Sequence, residues 1–506
     1  MNEFKIEKIQ QLMNNLSNTR NISLVGCKDH GKSMLLDRLN SYARIQILKT
    51  RLEQRYMAFR NDEKHHSRTL KSASIPLYYQ LDEENIPQDS NGNEFLINCI
   101  DTPGHIGCDS EVTTALKVSD GAVILTDFLT EEMYQIPKET IKQTKKIINQ
   151  VLLERTKPFL MINKVDRAIS ELRMEPEEIY QQFFRVIKSM NNIISACEDE
   201  SMADIEINPL AGNVLFGSAF GGWSFTLNQF AERYSKKWNK PKEKILKRLW
   251  GDNFFDPKRN KWVKKRENKE GEILERGFCL LIMKPICILY NEVYNKERNY
   301  EKINKILSTI GVKLTNEESL AENRYLIKTI MKKFLPITDS FFRMIISHLP
   351  SPKVSQQLKV RNLYEADENN ECIQAIANCD PEGPLMIHVC KMIPSYEKNR
   401  YYAFGRVYSG TIKEGQKVYV MPQYEISSSK NTFVTKIEKI VLMIDNKFKQ
   451  VSHSVCGNII GFLIVDNYLI QENYTITTHK NAPPLKKNNY NLSTMEKIQI
   501  NSQKKN

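Results

Sequence analysis

Gly26-Cys27-Lys28-Asp29-His30-Gly31-Lys32-Ser33 is the stretch on which the reading of this chain turns. Glycines at both ends of the loop and a closing Lys-Ser pair are what a backbone needs to wrap phosphate oxygens in its own N–H groups. The glycines permit the bends, the lysine reaches the outer phosphates, and the serine hydroxyl ligates Mg²⁺. The flanks fit. Ile22 to Val25 reads as a short buried strand, and Met34-Leu35-Leu36 with Leu39 reads as the apolar face of a helix whose positive end faces the anion. The candidate nucleotide contacts here are Gly26, Cys27, Lys28, Asp29, His30, Gly31, Lys32, Ser33 and Met34, with Ser33 also a metal ligand. A functionless Gly/Lys surface turn is the plain alternative, and the strand-loop-helix setting disfavours it.

The 506 residues leave room for several domains. No apolar run approaches the length of a membrane span, and Met1-Asn2-Glu3-Phe4-Lys5 is too polar for a signal peptide, so a soluble cytoplasmic protein without membrane contact is expected. The ten cysteines are scattered without a CxxC pair, mostly in apolar runs such as Asn98-Cys99-Ile100 and Gly277-Phe278-Cys279-Leu280. That usage suits reduced core thiols better than disulfides or zinc. A net charge of +13 favours an anionic partner, RNA or a ribosomal surface ahead of a membrane, although a Lys/Asn-rich composition raises the lysine count by itself.

Phe4, Ile6, Ile9, Leu12, Met13 and Leu16 lie close to one helical face and predict a packing helix ahead of the first strand. Tyr42 to Arg68 is polar and without sustained period, the composition of a mobile segment near a nucleotide. Ser74 to Tyr79 and Glu94 to Ile100 read as strands, the second following an Asn91-Gly92 turn, with a hairpin as the simplest connection. Three further apolar runs, Ala122 to Leu125, Phe159 to Ile162 and Val214 to Phe216, alternate with helical stretches. Such alternation implies an α/β fold with a mostly parallel sheet covered on both faces, and ligands there bind at the carboxyl ends of the strands.

Each chemical motif falls at such an end: the phosphate loop, Asp101-Thr102-Pro103-Gly104-His105, Asn163-Lys164-Val165-Asp166 and Gly217-Ser218-Ala219. Asp101 is placed to hold a Mg²⁺-bound water. Gly104 offers a backbone N–H to the terminal phosphate. The Asp166 carboxylate accepts from N1–H and the exocyclic amino group of guanine, a pair of donors that adenine lacks in that arrangement, so the site selects GTP or GDP. Asn163 and Lys164 brace the base pocket, with Ser218 and Ala219 beside it.

Residues 236–276 hold fifteen Lys/Arg against seven Asp/Glu, either a solvated surface or one that meets RNA or protein. Gly277 to Tyr294 and Tyr325 to Leu349 read as helical, and Pro350-Ser351-Pro352 marks a change of character. Short alternating runs from Leu385 to Thr478, punctuated at Ser409-Gly410, Glu414-Gly415 and Cys456-Gly457, predict a β-barrel. Residues 481–506 are Lys/Asn-rich and expected to fray.

Together these residues resemble the translational GTPases, and within them the elongation-factor-2 type of eukaryotes and archaea. The strings that carry the likeness are Gly217-Ser218-Ala219-Phe220-Gly221-Gly222-Trp223, Leu249-Trp250-Gly251-Asp252, His348-Leu349-Pro350-Ser351-Pro352, Cys379-Asp380-Pro381 and Tyr402-Ala403-Phe404-Gly405-Arg406-Val407. The resemblance implies a P-loop GTPase domain over 1–352 with an inserted subdomain near 232–330. A β-barrel second domain would follow over 353–480, and a tail or the start of a third domain over 481–506. It implies a monomer that hydrolyses GTP in translation elongation, with His105 positioning the attacking water and Thr69 closing over Mg²⁺. The ribosome, through its RNA and factor-binding proteins, would be partner and activator.

Departures from the family pattern bear on hydrolysis. Lys28 and Arg68 stand where the family has small apolar residues flanking the histidine, and Gly107 replaces an Asp after it. The family's Arg-Gly-Ile-Thr signature is His66-Ser67-Arg68-Thr69 here. A non-hydrolysing GTP-binding module therefore stays open, and so does a ribosome-maturation or spliceosomal relative, because the resemblance implies that such relatives share this front half. None of the eight histidines falls in the further domains that the family uses to move transfer RNA, so this chain by itself is expected to bind GTP without translocation.

Overall fold

The structure, a computed structural model, describes residues 2–45, 73–105, 107–128, 138–196, 205–268, 270–295, 300–364, 369–395, 400–422, 432–444, 447–466 and 470–483. At its centre is β1 (Thr19–Val25), buried along its whole length. The sheet around it contains β2 (Ala73–Gln80), β3 (Glu94–Asp101), β4 (Gly121–Asp127), β5 (Lys157–Asn163), β6 (Val214–Ser218) and β7 (Trp223–Phe225), in the order β2-β3-β1-β4-β5-β6-β7. Strands β3, β1, β4, β5 and β6 run parallel, and only the edge strands β2 and β7 are antiparallel. Alternate residues feed two cores. Ala122, Ile124, Leu160, Ile162 and Phe216 join one, while Val123, Leu125, Phe159, Met161 and Leu215 join the other. Helices Asp109–Val118, Lys138–Leu153 and Pro176–Ser195 cover the first face; Lys32–Ile45 and Ile337–His348 cover the second. A strand buried on both faces is what a continuous apolar run encodes.

Several local expectations change. β2 and β3 do pair antiparallel, but Asn91-Gly92 is not their turn. The connection from Leu81 to Asn93 is longer, and Asn18 holds it by donating to the carbonyls of Asn91, Gly92 and Glu94 and accepting from the Asn91 N–H. Helix Lys32–Ile45 absorbs Tyr42, so the polar segment begins later than its composition suggested, and residues 46–72 lie outside the described ones. The 325–349 stretch is two helices, because Pro336 has no N–H to continue the ladder and drives Leu335 to φ −136°, ψ 66°.

The insertion shares the first core: Phe278 packs against Phe183 and Phe216. It carries a small sheet of β8 (Phe254–Asp256), β9 (Lys261–Val263) and β10 (Glu275–Arg276). Much of its basic charge is neutralised locally. Lys258 pairs with Glu270 and Glu272, Arg259 with Asp256, Lys242 with Glu232, and buried Arg276 with Glu177 and Asp252. Those pairs fit the solvated-surface reading of that segment.

The barrel is built of β11 (Met386–Pro394), β12 (Tyr401–Ser409), β14 (Lys417–Met421), β15 (Phe433–Ile444), β16 (Lys447–Val451), β18 (Ile459–Ile464) and β19 (Thr475–Thr477). A short pair, β13 (Thr411–Lys413) and β17 (His453–Val455), flanks it. All pairings are antiparallel, in the order β14-β19-β11-β12-β18-β15-β16, and β14 with β15 closes the ring. Ile387, Val389, Val407, Val418, Ile437 and Phe462 fill its interior, and Ile9, Leu12 and Met13 of the N-terminal helix Asn2–Met13 extend that core to Leu96 of β3.

Barrel and sheet meet through a buried polar joint. Arg406 and Asp120, both fully buried, pair at 2.7 Å. Asp120 also accepts from Ser355 and Asn21, and Arg406 donates to Gln356 and the Val118 carbonyl. Every polar group that is buried here with its partner escapes the 1–3 kcal/mol or so that an unmatched one costs.

Candidate nucleotide site

The phosphate loop leaves β1 at Gly26 and enters helix Lys32–Ile45 at Lys32. Gly26 has φ +150° and abuts the Leu125 carbonyl; Gly31 has φ +96° and abuts the Asn163 side-chain amide. A Cβ at either would meet those atoms at less than contact distance, so the glycines are required by both conformation and space. Lys32 is buried, its Nζ donating to the carbonyls of Gly26 and Cys27 at 2.8 and 2.9 Å. Burial lowers its pKa, while Asp101 opposes that shift. Ser33 donates to Asp101 Oδ2 at 2.6 Å. Gly104 sits so close that a Cβ would reach Lys32 Nζ and come within 2.8 Å of the Lys28 N atom, and its carbonyl accepts from Gln143. His105 follows on the surface. Lys28 is exposed, its ammonium 3.8 Å from Asp29.

His30 is tied to the next strand: its Nδ1–H donates to the Leu125 carbonyl at 3.0 Å, and burial depresses its pKa, so the ring is neutral. The link to the third motif is Asn163. Its Nδ2 donates to the His30 carbonyl and its Oδ1 accepts from Ala219 N–H, each at 2.8 Å, so one side chain at the end of β5 binds the phosphate loop to the 217–219 turn. Lys164, held at φ +64°, pairs with Asp127 at 2.7 Å. Burial raises the Asp166 pKa, against hydrogen bonds from Ser218 and the amides of Asp166 and Arg167. Among the described residues, Asp166 Oδ1 is buried without a hydrogen-bond partner, the state expected of a carboxylate kept for a ligand's N–H groups. Met34 packs at the edge of the second core.

All four motifs thus converge on the carboxyl ends of β1, β3, β5 and β6. Thr69 and Arg68 lie outside the described residues. The sequence reading missed Asp127 and Gln143. Asp127 had a usable signal, since it is an acidic residue closing the apolar run of β4 as Asp101 closes that of β3; Gln143 had none, because its contact depends on how helix Lys138–Leu153 crosses the sheet. The paired Ser33 and Asp101 oxygens are hard donors at the end of the phosphate loop, and this donor set fits Mg²⁺.

Sheet, loop and motif placement define a P-loop GTPase domain followed by an antiparallel β-barrel. The chain belongs to the translational GTPase family: the model described as Elongation factor Tu GTP binding domain matches residues 17–351. The model described as Elongation factor Tu domain 2 matches residues 401–470. Among the described residues no helix is long and apolar enough to cross a membrane.

Proposed function

We propose that this chain is a ribosome-associated GTPase of the elongation-factor-2 type, cleaving the terminal phosphoanhydride of GTP by in-line attack of water in the cytoplasm. The observation that carries this reading is Asn163, which ties the phosphate loop to the turn beside Asp166 and so puts phosphate-holding and base-reading groups on one scaffold. In this reading the loop amides and Lys32 hold the phosphates, Asp166 reads guanine, and His105 positions the water. Ser33 and Asp101, with Thr69, would hold Mg²⁺, which when bound neutralises phosphate charge. We assign 1–352 to the GTPase domain and 353–480 to the second domain. The elongation-factor-2 assignment is supported by its characteristic strings, which stand at structural joints: Trp223 is buried with its indole N–H on Tyr290, Pro352 opens a helix, and Arg406 pairs with Asp120.

The test is release of phosphate from GTP with and without ribosomes. Slow intrinsic cleavage, stimulated by ribosomes and reduced about 100-fold or more in His105→Ala, is expected. Absence of cleavage with and without ribosomes would favour the non-hydrolysing module. We further expect Lys28→Val combined with Arg68→Ile to speed single-turnover cleavage, because the family likeness implies that both positions flank the histidine, where a cation would hold its side chain back from the phosphate. Slower cleavage in that variant would mean that the cations assist instead.

A further inference from the structure

The turn that carries Ser218 and Ala219 continues into Phe220, a residue 42 % exposed. The Arg324 guanidinium lies 5.0 Å and Lys328 Nζ 4.6 Å from the centre of that ring. Arg324, Lys328 and Lys332 recur at every fourth residue of helix Asn323–Phe334, which spaces them about 6 Å apart along one face. Arg38, from the helix that follows the phosphate loop, approaches from the other side, its Nε and Nη2 on the carbonyls of Ala219 and Phe220 at 3.4 and 3.3 Å. The Lys332 stem lies against Gly222.

Among the described residues, none of these four cations has a carboxylate within ion-pairing distance. Asp37 acts on Arg38 and Asp166 on Lys328 only at longer range. Burial, together with the charges of Arg38, Lys332 and Arg324, holds Lys328 down to about 8. The ordinary fate of a surface lysine is to splay into water or pair with an acid, as much of the insertion's basic charge does. Here the fold gathers like charges around an exposed aromatic ring, an arrangement whose repulsion a polyanion relieves.

We infer that Phe220 with Arg38, Arg324, Lys328 and Lys332 is a contact site for a single-stranded segment of RNA, a base stacking on the ring and successive phosphates following the cation row. The spacing of the row is close to that of neighbouring phosphates on one strand, and the exposed ring beside it supplies the stacking surface that such sites use. An acidic peptide would engage the charge alone. The inference rests on the ribosome-associated reading in naming RNA, and it adds where on this chain RNA is met: beside the guanine pocket, through the turn that Arg38 holds.

Binding of a fluorescently labelled single-stranded oligouridine, followed by anisotropy over a series of KCl concentrations, tests it. Lys328→Ala with Lys332→Ala is expected to weaken binding at least 10-fold and to reduce the salt slope by about 1.4, roughly 0.7 for each phosphate left without its cation. Phe220→Ala is expected to weaken it about 10-fold with the slope unchanged. A control of equal charge, Lys265→Ala with Arg266→Ala on the insertion, is expected to leave binding near the parent value. The inference is overturned if the control weakens binding as much as the Phe220-side variants, or if those variants bind as the parent does. It also fails if a glutamate-rich peptide displaces the RNA while Phe220→Ala binds as tightly as the parent. GTP affinity measured on every variant separates the two claims: failure of the parent to bind GTP removes the GTPase reading, and intact GTP binding with unchanged RNA binding removes only this one.

Discussion

In the function proposed above, Asp166 is where a single side chain decides the ligand. A carboxylate accepts only, so it matches the paired donors of guanine; an amide at the same place presents a donor, which suits the additional carbonyl of xanthine. Asp166→Asn is therefore expected to exchange GTP for xanthosine triphosphate, seen as a reversal of relative affinity in a competition titration. Gly31→Ala should cost more generally, since its Cβ would displace the Asn163 amide and break the tie to the 217–219 turn; at least 10-fold weaker binding of both nucleotides is expected. A third residue acts on stability. His388 is fully buried, neither ring nitrogen has a partner among the described residues, and burial reinforced by Lys117 drives its pKa down to about 3. Its folded pKa lies below the unfolded value near 6.5, so the unfolded chain binds the extra proton. The contribution is complete well above that pH and is lost as the pH falls toward 3, about 2 kcal/mol between pH 7 and 5. Urea midpoints at pH 7 and 5 should converge in His388→Leu relative to the parent; an identical pH dependence in both would refute the assignment.

Helix Asp109–Val118 begins just beyond His105, and its last carbonyls are gripped from outside the sheet. Tyr408 donates to the Lys117 carbonyl at 2.7 Å, Arg406 to Val118 at 3.0 Å, and Lys359 to Leu116 at 2.8 Å. One end of the helix adjoins the Asp101–His105 stretch, and the other is bonded to the barrel and to helix Pro352–Leu363. Arg406→Ala leaves the Asp120 carboxylate buried without its ion-pair partner, held only by the hydrogen bonds of Ser355 and Asn21 among the described residues, a change that costs about 3–5 kcal/mol. A large fall in the thermal midpoint is expected, and a shift within error would show that the joint contributes little. None of this is legible in the sequence, because Arg406 and Asp120 are far apart along the chain and their meeting depends on the docking of two finished folds. The strands are legible because each is an apolar run closed by a polar motif. The long β2–β3 connection is not, since the Asn-Gly signal marks a tight turn wherever it occurs, and only Asn18 reveals that this one sits inside a longer loop.

Across the whole molecule, ligand chemistry is easier to read from sequence than assembly. Phosphate and base recognition each need a few residues close in sequence, so Gly26 to Ser33, Asp101 to His105 and Asn163 to Asp166 stand out. What binds them into one site, the Asn163 bridge and the Asp127–Lys164 pair, follows from the sheet order, in which β5 lies between β4 and β6. The resulting account is of a GTP-binding site whose base pocket is preformed by that order. Equilibrium titration of the unmodified chain with fluorescent GTP and ATP analogues tests this most directly. The account predicts saturable GTP binding preferred over ATP by at least 100-fold, and equal affinity for the two would contradict it.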